Sequence, residues 1–367
     1  MIKRLYVFAN MGHLDQLPKS GGQSSARRVM DGLREAGFEI VPIRRHRGVL
    51  QGRFYHVVET GTFAILDSLK VFGKLLVGRR KDSAFIHLTY SASLVPYELW
   101  LTLIAKMLGY KSLLYLKGGK IGDYLKSGSR LSLWMLFKNL ALQRCVFLEG
   151  KSDMNLLESK TNTKLVYFPN YIFMKDLPVS IQKPKDRIGL CYFGKIVPYK
   201  NVDVTIETFN LLADEFKQFH LTIVGGGMAG SDYMDKIDQQ IANSPFKERI
   251  EKVGLSSFDY LKKMMGQHHF FLFPTASKCE GHSNALNEAM SQGLIPIVSD
   301  YHFNRSIVKD ERFVVSGYNP VDYAEKIRYI LNHCNMDELS TQVCELVKDN
   351  YVYENIIGRI SEELRNV

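Results

Sequence analysis

The feature that most constrains this chain is an alternation, kept up over 367 residues, of short apolar or β-branched runs with longer helical patterns. In the first half the strand candidates are Leu5–Ala9, Glu39–Ile43, Phe85–Leu88, Ser112–Leu116, Cys145–Glu149 and Lys164–Phe168. In the second half they are Gly189–Phe193, Leu221–Val224, Glu251–Val253, Phe270–Phe273, Ile295–Ser299 and Phe313–Val315. Helix-like segments such as Gln23–Ala36, Asn201–Phe216, Asp259–Met265, Asn284–Ser291 and Val321–Leu331 lie between them. Such alternation predicts α/β architecture, with parallel sheets covered by helices on both faces. The length exceeds what one compact core accommodates, so two domains are expected. The alternation pauses at Asn170–Arg187, a polar stretch with Pro178 and Pro184 that ends in KPKDR, and the linker is placed there. The reading is two doubly wound domains, 1–178 and 179–351, facing each other across a cleft, with ligands beyond the carboxyl ends of the strands.

Charge and cysteine content narrow the function classes. Residues 1–180 carry 27 Lys+Arg against 13 Asp+Glu, whereas the whole chain has a net charge of +10, so the basic excess sits entirely in the first half. A basic face of this kind draws anionic partners. The five cysteines, Cys145, Cys191, Cys279, Cys334 and Cys344, are widely spaced and form no CxxC pair. They read as thiols in a reducing compartment, not as a disulfide framework or zinc site. The start MIKRLYVFAN lacks a long apolar core and a small-residue cleavage site, so no signal peptide is expected. The apolar stretch Leu99–Leu116 is broken by Lys106, Gly109 and Lys111 and reads as a buried helix running into a strand. A cytoplasmic protein is expected.

Three constellations carry chemistry. In FFLFPTASKCEGHSNALNEAMSQGLIPIVSD a buried strand ends at Pro274, a loop carries Glu280 and Gly281, and a helix opens near Ser283. The free N–H groups at that helix start suit a phosphate, with Ser283 as N-cap. Glu280 in the loop and Glu288 in the helix place one carboxylate for a sugar hydroxyl and the other for a ribose. In YFGKIVPYKN a strand ends at Gly194, and Lys195 and Lys200 flank the following loop. Two cations there can neutralise a diphosphate without a metal and stabilise its departure. In PKSGGQSSARR, Gly21 and Gly22 let backbone approach a ligand, and Ser24 or Ser25 opens the next helix.

EGHSNALNE, with FGKIVPYKN upstream and the early SGG loop, resembles the family-4 retaining glycosyltransferases. The resemblance spans essentially the whole chain and is strongest from Tyr192 to Asp300. Pro274–Thr275 and Glu280…Glu288 fit the family's strand end and double-Glu signature, TIVGGG (Thr222–Gly227) its Gly-rich turn, and FPNYI (Phe168–Ile172) the segment before its linker. It implies a GT-B fold of two Rossmann-like domains, the first binding the acceptor and the second the nucleotide-sugar donor. The last helix, within 352–367, would pack back on the first domain. It further implies that Glu280 contacts the donor sugar and Glu288 the ribose, while Lys195 and Lys200 grip the diphosphate. Gly21, Gly22, Gly194, Gly225, Gly281, His282, Ser283 and Asn284 complete the donor site. The family more often has Arg at the position of Lys195, and Lys lacks its bidentate fork. In LLYLKGGKIGDY, Lys117 stands where the family usually has a His near the donor sugar, and His87, at the end of the preceding strand, is an alternative.

The implied reaction moves a sugar from a nucleoside-diphosphate sugar, UDP-sugar by preference, to a hydroxyl of a lipid-linked or polysaccharide acceptor in surface glycan synthesis, with retention. No cofactor or metal is expected, since no DxD sequence of the metal-holding kind appears. The rivals are a nucleotide-sugar epimerase on the same fold, a catalytically silent binder of anionic ligands, and a nucleic-acid binder; nucleic acid is not the expected partner. A nicotinamide-dependent oxidoreductase would need GxGxxG after the first strand, and Ala9–His13 does not supply it. Within Thr60–Lys81, Ile65, Leu69, Phe72 and Leu76 form one stripe beside Lys70, Lys74, Arg79, Arg80 and Lys81. A helix packed on a sheet shows such a stripe, and that is the reading taken; a helix lying peripherally on the inner face of a membrane shows it too. Arg44, Arg45, Arg47 and Arg53 would add to an anionic-surface contact.

Overall fold

The computed structural model describes residues 1–18, 20–46, 53–90, 95–227, 231–277 and 280–366, without the side chains of 53–57 and 90. Arg47, Cys279 and the side chain of Arg53 therefore lie outside the described set. The chain forms two compact units, Met1–Pro169 with Tyr353–Val367, and Asn170–Val352.

The first unit contains β1 (Arg4–Ala9), α1 (Gly21–Glu35), β2 (Glu39–Arg44), α2 (Arg53–Leu76), β3 (Ser83–Tyr90) and α3 (Val95–Met107). It continues with β4 (Lys111–Lys117), α4 (Ile121–Ser127), α5 (Arg130–Leu142), β5 (Cys145–Leu148), α6 (Lys151–Glu158) and β6 (Leu165–Tyr167). The strands form one sheet in the order β2-β1-β3-β4-β5-β6, and the paired strands are parallel. Parallel strands covered on both faces read as continuous apolar runs, and Leu113–Leu116 of β4 are all buried. Helix α1 starts earlier than expected. Ser20, not Ser24 or Ser25, is its N-cap, accepting from the Gln23 N–H, so Gly21 and Gly22 are its first helical residues.

The stripe on α2 points the other way from the expectation. Val71, Leu75 and Asp67 face inward, while Ile65 and Leu69 are 65% and 64% exposed and Phe72 and Leu76 are exposed as well. Polar anchors fix this rotation. Asp67 accepts from the His46 backbone N–H at 2.9 Å and meets the His46 ring at 2.5 Å, and Lys70 donates to the Arg44 carbonyl. Val71 and Leu75 then share a core with Phe8, Phe85, Leu101 and Ile104.

The second unit contains β7 (Ile188–Phe193), α7 (Val202–Glu215), β8 (Phe219–Val224), α8 (Asp232–Ala242), β9 (Ile250–Val253), α9 (Phe258–Gly266) and β10 (Phe270–Phe273). Then follow α10 (Asn284–Ser291), β11 (Ile295–Ser299), α11 (Asn304–Val308), β12 (Val314–Val315), α12 (Pro320–His333) and α13 (Met336–Asn350). Its parallel sheet runs β12-β11-β10-β7-β8-β9 over one large apolar core. This unit starts at Asn170, earlier than residue 179. The Ile172 N–H donates to the Tyr351 carbonyl, and Asn170 donates to the His282 carbonyl, tying the segment to the second unit. The last helix, α14 (Tyr353–Asn366), belongs to the first unit. There the Tyr353 hydroxyl donates to the Gly32 carbonyl, Arg365 donates to the Ala36 carbonyl, and Lys164 pairs with Glu363.

Candidate functional site

Read from β9, the second sheet has the order β9-β8-β7-β10-β11-β12, so the winding reverses between β7 and β10. Loops leaving two neighbouring strands at such a reversal diverge and open a crevice at their carboxyl ends. The loop after β7 carries Lys195 and Lys200, and the loop after β10 carries Glu280. The fold thus joins two of the three sequence constellations at one place.

Backbone bonds hold the crevice. The Ala276 N–H donates to the Tyr199 carbonyl at 2.8 Å, and the Asn201 side-chain amide donates to the Pro274 carbonyl at 2.7 Å. Asn201 itself adopts a left-handed conformation (φ 50°), which Asn tolerates, and this turns the chain from a short 3₁₀ segment (Pro198–Lys200) into α7. The Tyr192 hydroxyl donates to the Lys195 carbonyl at 2.6 Å and fixes the loop from below. Burial, with the Glu280 charge near it, holds the Tyr192 phenol well above its ordinary pKa, so it stays a neutral donor.

Glycine is required at one point here. Gly225, at φ 148°, sits so close to the end of β7 that a Cβ would overlap the Gly194 carbonyl oxygen. The Gly194 N–H in turn donates to the Val224 carbonyl at 3.0 Å. Gly194 and Gly225 therefore pack backbone against backbone at the crevice floor.

Lys200 and Glu280 form an ion pair, both largely shielded, with the ammonium 4.7 Å from the centre of the Phe273 ring. The pairing of an expected phosphate ligand with an expected sugar ligand was not foreseen from sequence. The eighty positions between them hide it, and only the strand order shows that the two loops are neighbours.

Beyond Glu280 the chain enters α10. Ser283 is its N-cap, accepting from the Leu286 N–H. The expected helix start is therefore present, with Gly281, His282 and Asn284 around it and Glu288 buried in its second turn. His282 is buried edge-on to Tyr351, and Asn287 donates to the Asn170 carbonyl at 3.0 Å. These contacts fix where the N-terminus of α10 points. Asn170 and Asn287, which supply them, were not singled out from sequence, because each is an ordinary polar residue until the fold brings them together.

The remaining candidates lie in the first unit. Gly21 and Gly22 open α1, and a Cβ at Gly21 would meet open space, so packing does not demand glycine there. The preceding loop is organised by Arg27, whose guanidinium donates to the carbonyls of Met11 (2.9 Å), Gln16 (2.7 Å) and His13. Lys117 ends β4 fully buried, 2.6 Å from the Glu149 carboxylate. Burial lowers its pKa against the opposing pull of Glu149. The other Glu149 oxygen accepts from the Gly118 N–H at 2.9 Å. His87 lies inside β3, which runs on to Tyr90, and not at the strand's end as expected. It is buried edge-on to Phe8, and burial with the Arg45 charge holds its pKa well below the ordinary value.

Two doubly wound parallel units in tandem, the second with a polar crevice at its winding reversal, define the GT-B fold. Residues 174–342, nearly the whole second unit, match the family described as Glycosyl transferases group 1. A curated relative, the GDP-mannose:cellobiosyl-diphosphopolyprenol alpha-mannosyltransferase of Xanthomonas oryzae pv. oryzae, is 27% identical over 183 residues. That match covers 47% of this chain and 46% of the relative, so the chain spans about half the length of the curated relative it matches. Among solved structures, sucrose-phosphate synthase from Thermosynechococcus elongatus superposes with a TM-score of 0.73 at 15% identity, covering 99% of this chain and 98% of that one. HepE of Anabaena, solved with UDP, gives 0.71 at 10% identity, covering 100% of both chains. A point mutant of S. aureus TarM, solved with Fondaparinux, alpha-GlcNAc-glycerol and UDP, gives 0.63 at 17%, covering 82% of this chain and 59% of that one.

Proposed function

We propose that this protein is a metal-independent, retaining glycosyltransferase. It would move a sugar from a nucleoside-diphosphate sugar to a hydroxyl of a lipid-linked or polysaccharide acceptor in surface glycan synthesis. The carrying observation is the meeting of Lys200 and Glu280 at the winding reversal, beside the N-terminus of α10. An arriving diphosphate competes with Glu280 for the Lys200 ammonium, which releases the carboxylate for a hydroxyl of the donor sugar. Lys195 adds a second cation, and the N–H groups opening α10 face developing negative charge without reorganising. Glu288, in the second turn, serves the ribose. Gly194, Gly225, Gly281, His282, Ser283 and Asn284 border the donor. The double-Glu resemblance supports retention.

A UDP-sugar is the preferred donor because the HepE and TarM structures hold UDP; the Xanthomonas relative, named for GDP-mannose, makes GDP-sugars the necessary comparison. The proposed location is cytoplasmic, peripheral to an anionic membrane surface. The deciding experiment incubates the purified protein with a panel of UDP- and GDP-sugars and follows products by mass spectrometry. Glu280→Gln is expected to abolish turnover with the thermal midpoint nearly unchanged; near-wild-type turnover would remove Glu280 from the chemistry. Free nucleoside diphosphate without a glycosylated acceptor would favour the epimerase-type reading.

A further inference from the structure

The outward face of α2 has no partner among the described residues. Ile65, Leu69, Phe72 and Leu76 recur at the spacing of one helical stripe, and all are exposed. Contiguous apolar surface of this kind marks an interaction site on a folded protein. It is not isolated. Helix α3 packs on both α2 and α5, and its own exposed side presents Trp100 and Met107, while α5 presents Trp134. These are the chain's two tryptophans, about half exposed.

The charge beside the stripe selects the occupant. Lys74, Arg79, Arg80 and Lys81 are exposed along and just beyond its C-terminal end. Between Val58 and Lys81 no carboxylate is exposed; Asp67 is buried and Glu59 half-buried. A second copy of this chain seated on the stripe would bring two such cation clusters together. A bilayer rich in acidic lipid neutralises them instead and takes up the apolar stripe. Tryptophan suits the same boundary, its indole sitting at headgroup level. No described helix is long and apolar enough to cross a membrane, so the helix lies on the surface.

We infer that the outer face of α2, with Trp100 of α3 and Trp134 of α5, is a docking surface for an anionic lipid bilayer. This deepens the proposed peripheral location by assigning it a face, and it does not depend on sugar transfer.

Both tryptophans lie in this unit, so their emission reports docking directly. The full chain is titrated with vesicles of phosphatidylcholine alone or mixed with phosphatidylglycerol, with co-sedimentation in parallel. The acidic vesicles are expected to bind the protein and shift its emission to the blue. Binding should weaken as salt rises, because exposed charge is screened over about 8 Å at physiological ionic strength. Each large apolar side chain buried in the bilayer contributes on the order of tenfold in partitioning. Leu69→Asn with Phe72→Asn should therefore weaken binding about a hundredfold. Arg79→Glu, Arg80→Glu and Lys81→Glu together should abolish the preference for acidic lipid. Both variants touch exposed side chains only, and unchanged urea midpoints verify their folding. The inference is overturned if the wild-type protein ignores acidic vesicles at low salt, or if the double-Asn variant partitions like wild type. It is also overturned if sedimentation equilibrium shows a dimer that the Asn pair dissociates while lipid binding stays intact. A protein that binds vesicles but transfers no sugar would refute the proposed function and leave the docking face standing.

Discussion

Replacing Lys117 by Met tests whether its ammonium serves the fold or a ligand. Lys117 and Glu149 are 1% and 4% exposed at 2.6 Å, so neither charge has solvent to fall back on. Met keeps the length of the side chain and removes the charge. The Glu149 carboxylate is then left buried, with the Asp153 carboxyl in its electrostatic neighbourhood. Breaking a buried pair from one side costs about 3–5 kcal/mol. At about 2–4 °C per kcal/mol for a unit of this size, the midpoint should fall by roughly 6–20 °C. Lys117→Met with Glu149→Gln removes both charges and keeps an amide oxygen that can accept from the Gly118 N–H, so it should recover most of the loss. The assay is thermal and urea unfolding followed by tryptophan emission, which reports the first unit alone because Trp100 and Trp134 are the only tryptophans. A single variant costing under about 1 kcal/mol, or a double variant as costly as its two singles added, refutes the buried-pair reasoning. Full donor turnover in the stable double variant would remove Lys117 from any part at the sugar.

Asp153 gives a pH test. Burial first, and then the Glu149 charge, raise its pKa from 3.8 to about 7. A carboxyl that holds its proton more tightly when folded stabilises the fold below its unfolded value, and that contribution is lost as pH rises toward 7. Asp153→Asn should therefore be near neutral at pH 4 and stabilising at pH 8, by at most roughly 4 kcal/mol at 1.36 kcal/mol per unit; equal effects at both pH values would contradict it. At the crevice, Lys195→Ala or Lys200→Ala should each slow transfer about a hundred- to thousandfold, and wild-type activity should survive excess EDTA. A strict, reversible requirement for manganese or magnesium would count against these lysines as the diphosphate clamp.

Much of the fold was legible because buried parallel strands announce themselves as apolar runs, and the runs at Phe270–Phe273 and Ile295–Ser299 became strands with the predicted bounds. The Ser283 cap was legible for a similar local reason, since a hydroxyl followed by a helical pattern can act on its own backbone. What failed was decided at a distance. The α2 stripe pointed outward because Asp67 and Lys70 are held by residues of the β2 end, and periodicity cannot tell which of two apolar faces meets the sheet. The start of α1 moved back from the expected Ser24 or Ser25 because the nearby Ser20 hydroxyl meets the Gln23 N–H and caps the helix there. The Lys200–Glu280 pair depends on strand order, which no local pattern encodes.

The return of α14 to the first unit has a consequence for the order of assembly. Its buried side chains Ile356, Ile357, Ile360 and Leu364 help close that unit, and α14 packs on α1. Residues 170–352 are synthesised between the two parts of the first unit. At about 5–20 residues per second, the amino-terminal part therefore waits roughly 10–40 s for its last helix, and α1 lacks its α14 neighbour meanwhile. The second unit has all its strands before α14 emerges. The unit made first is thus the one finished last.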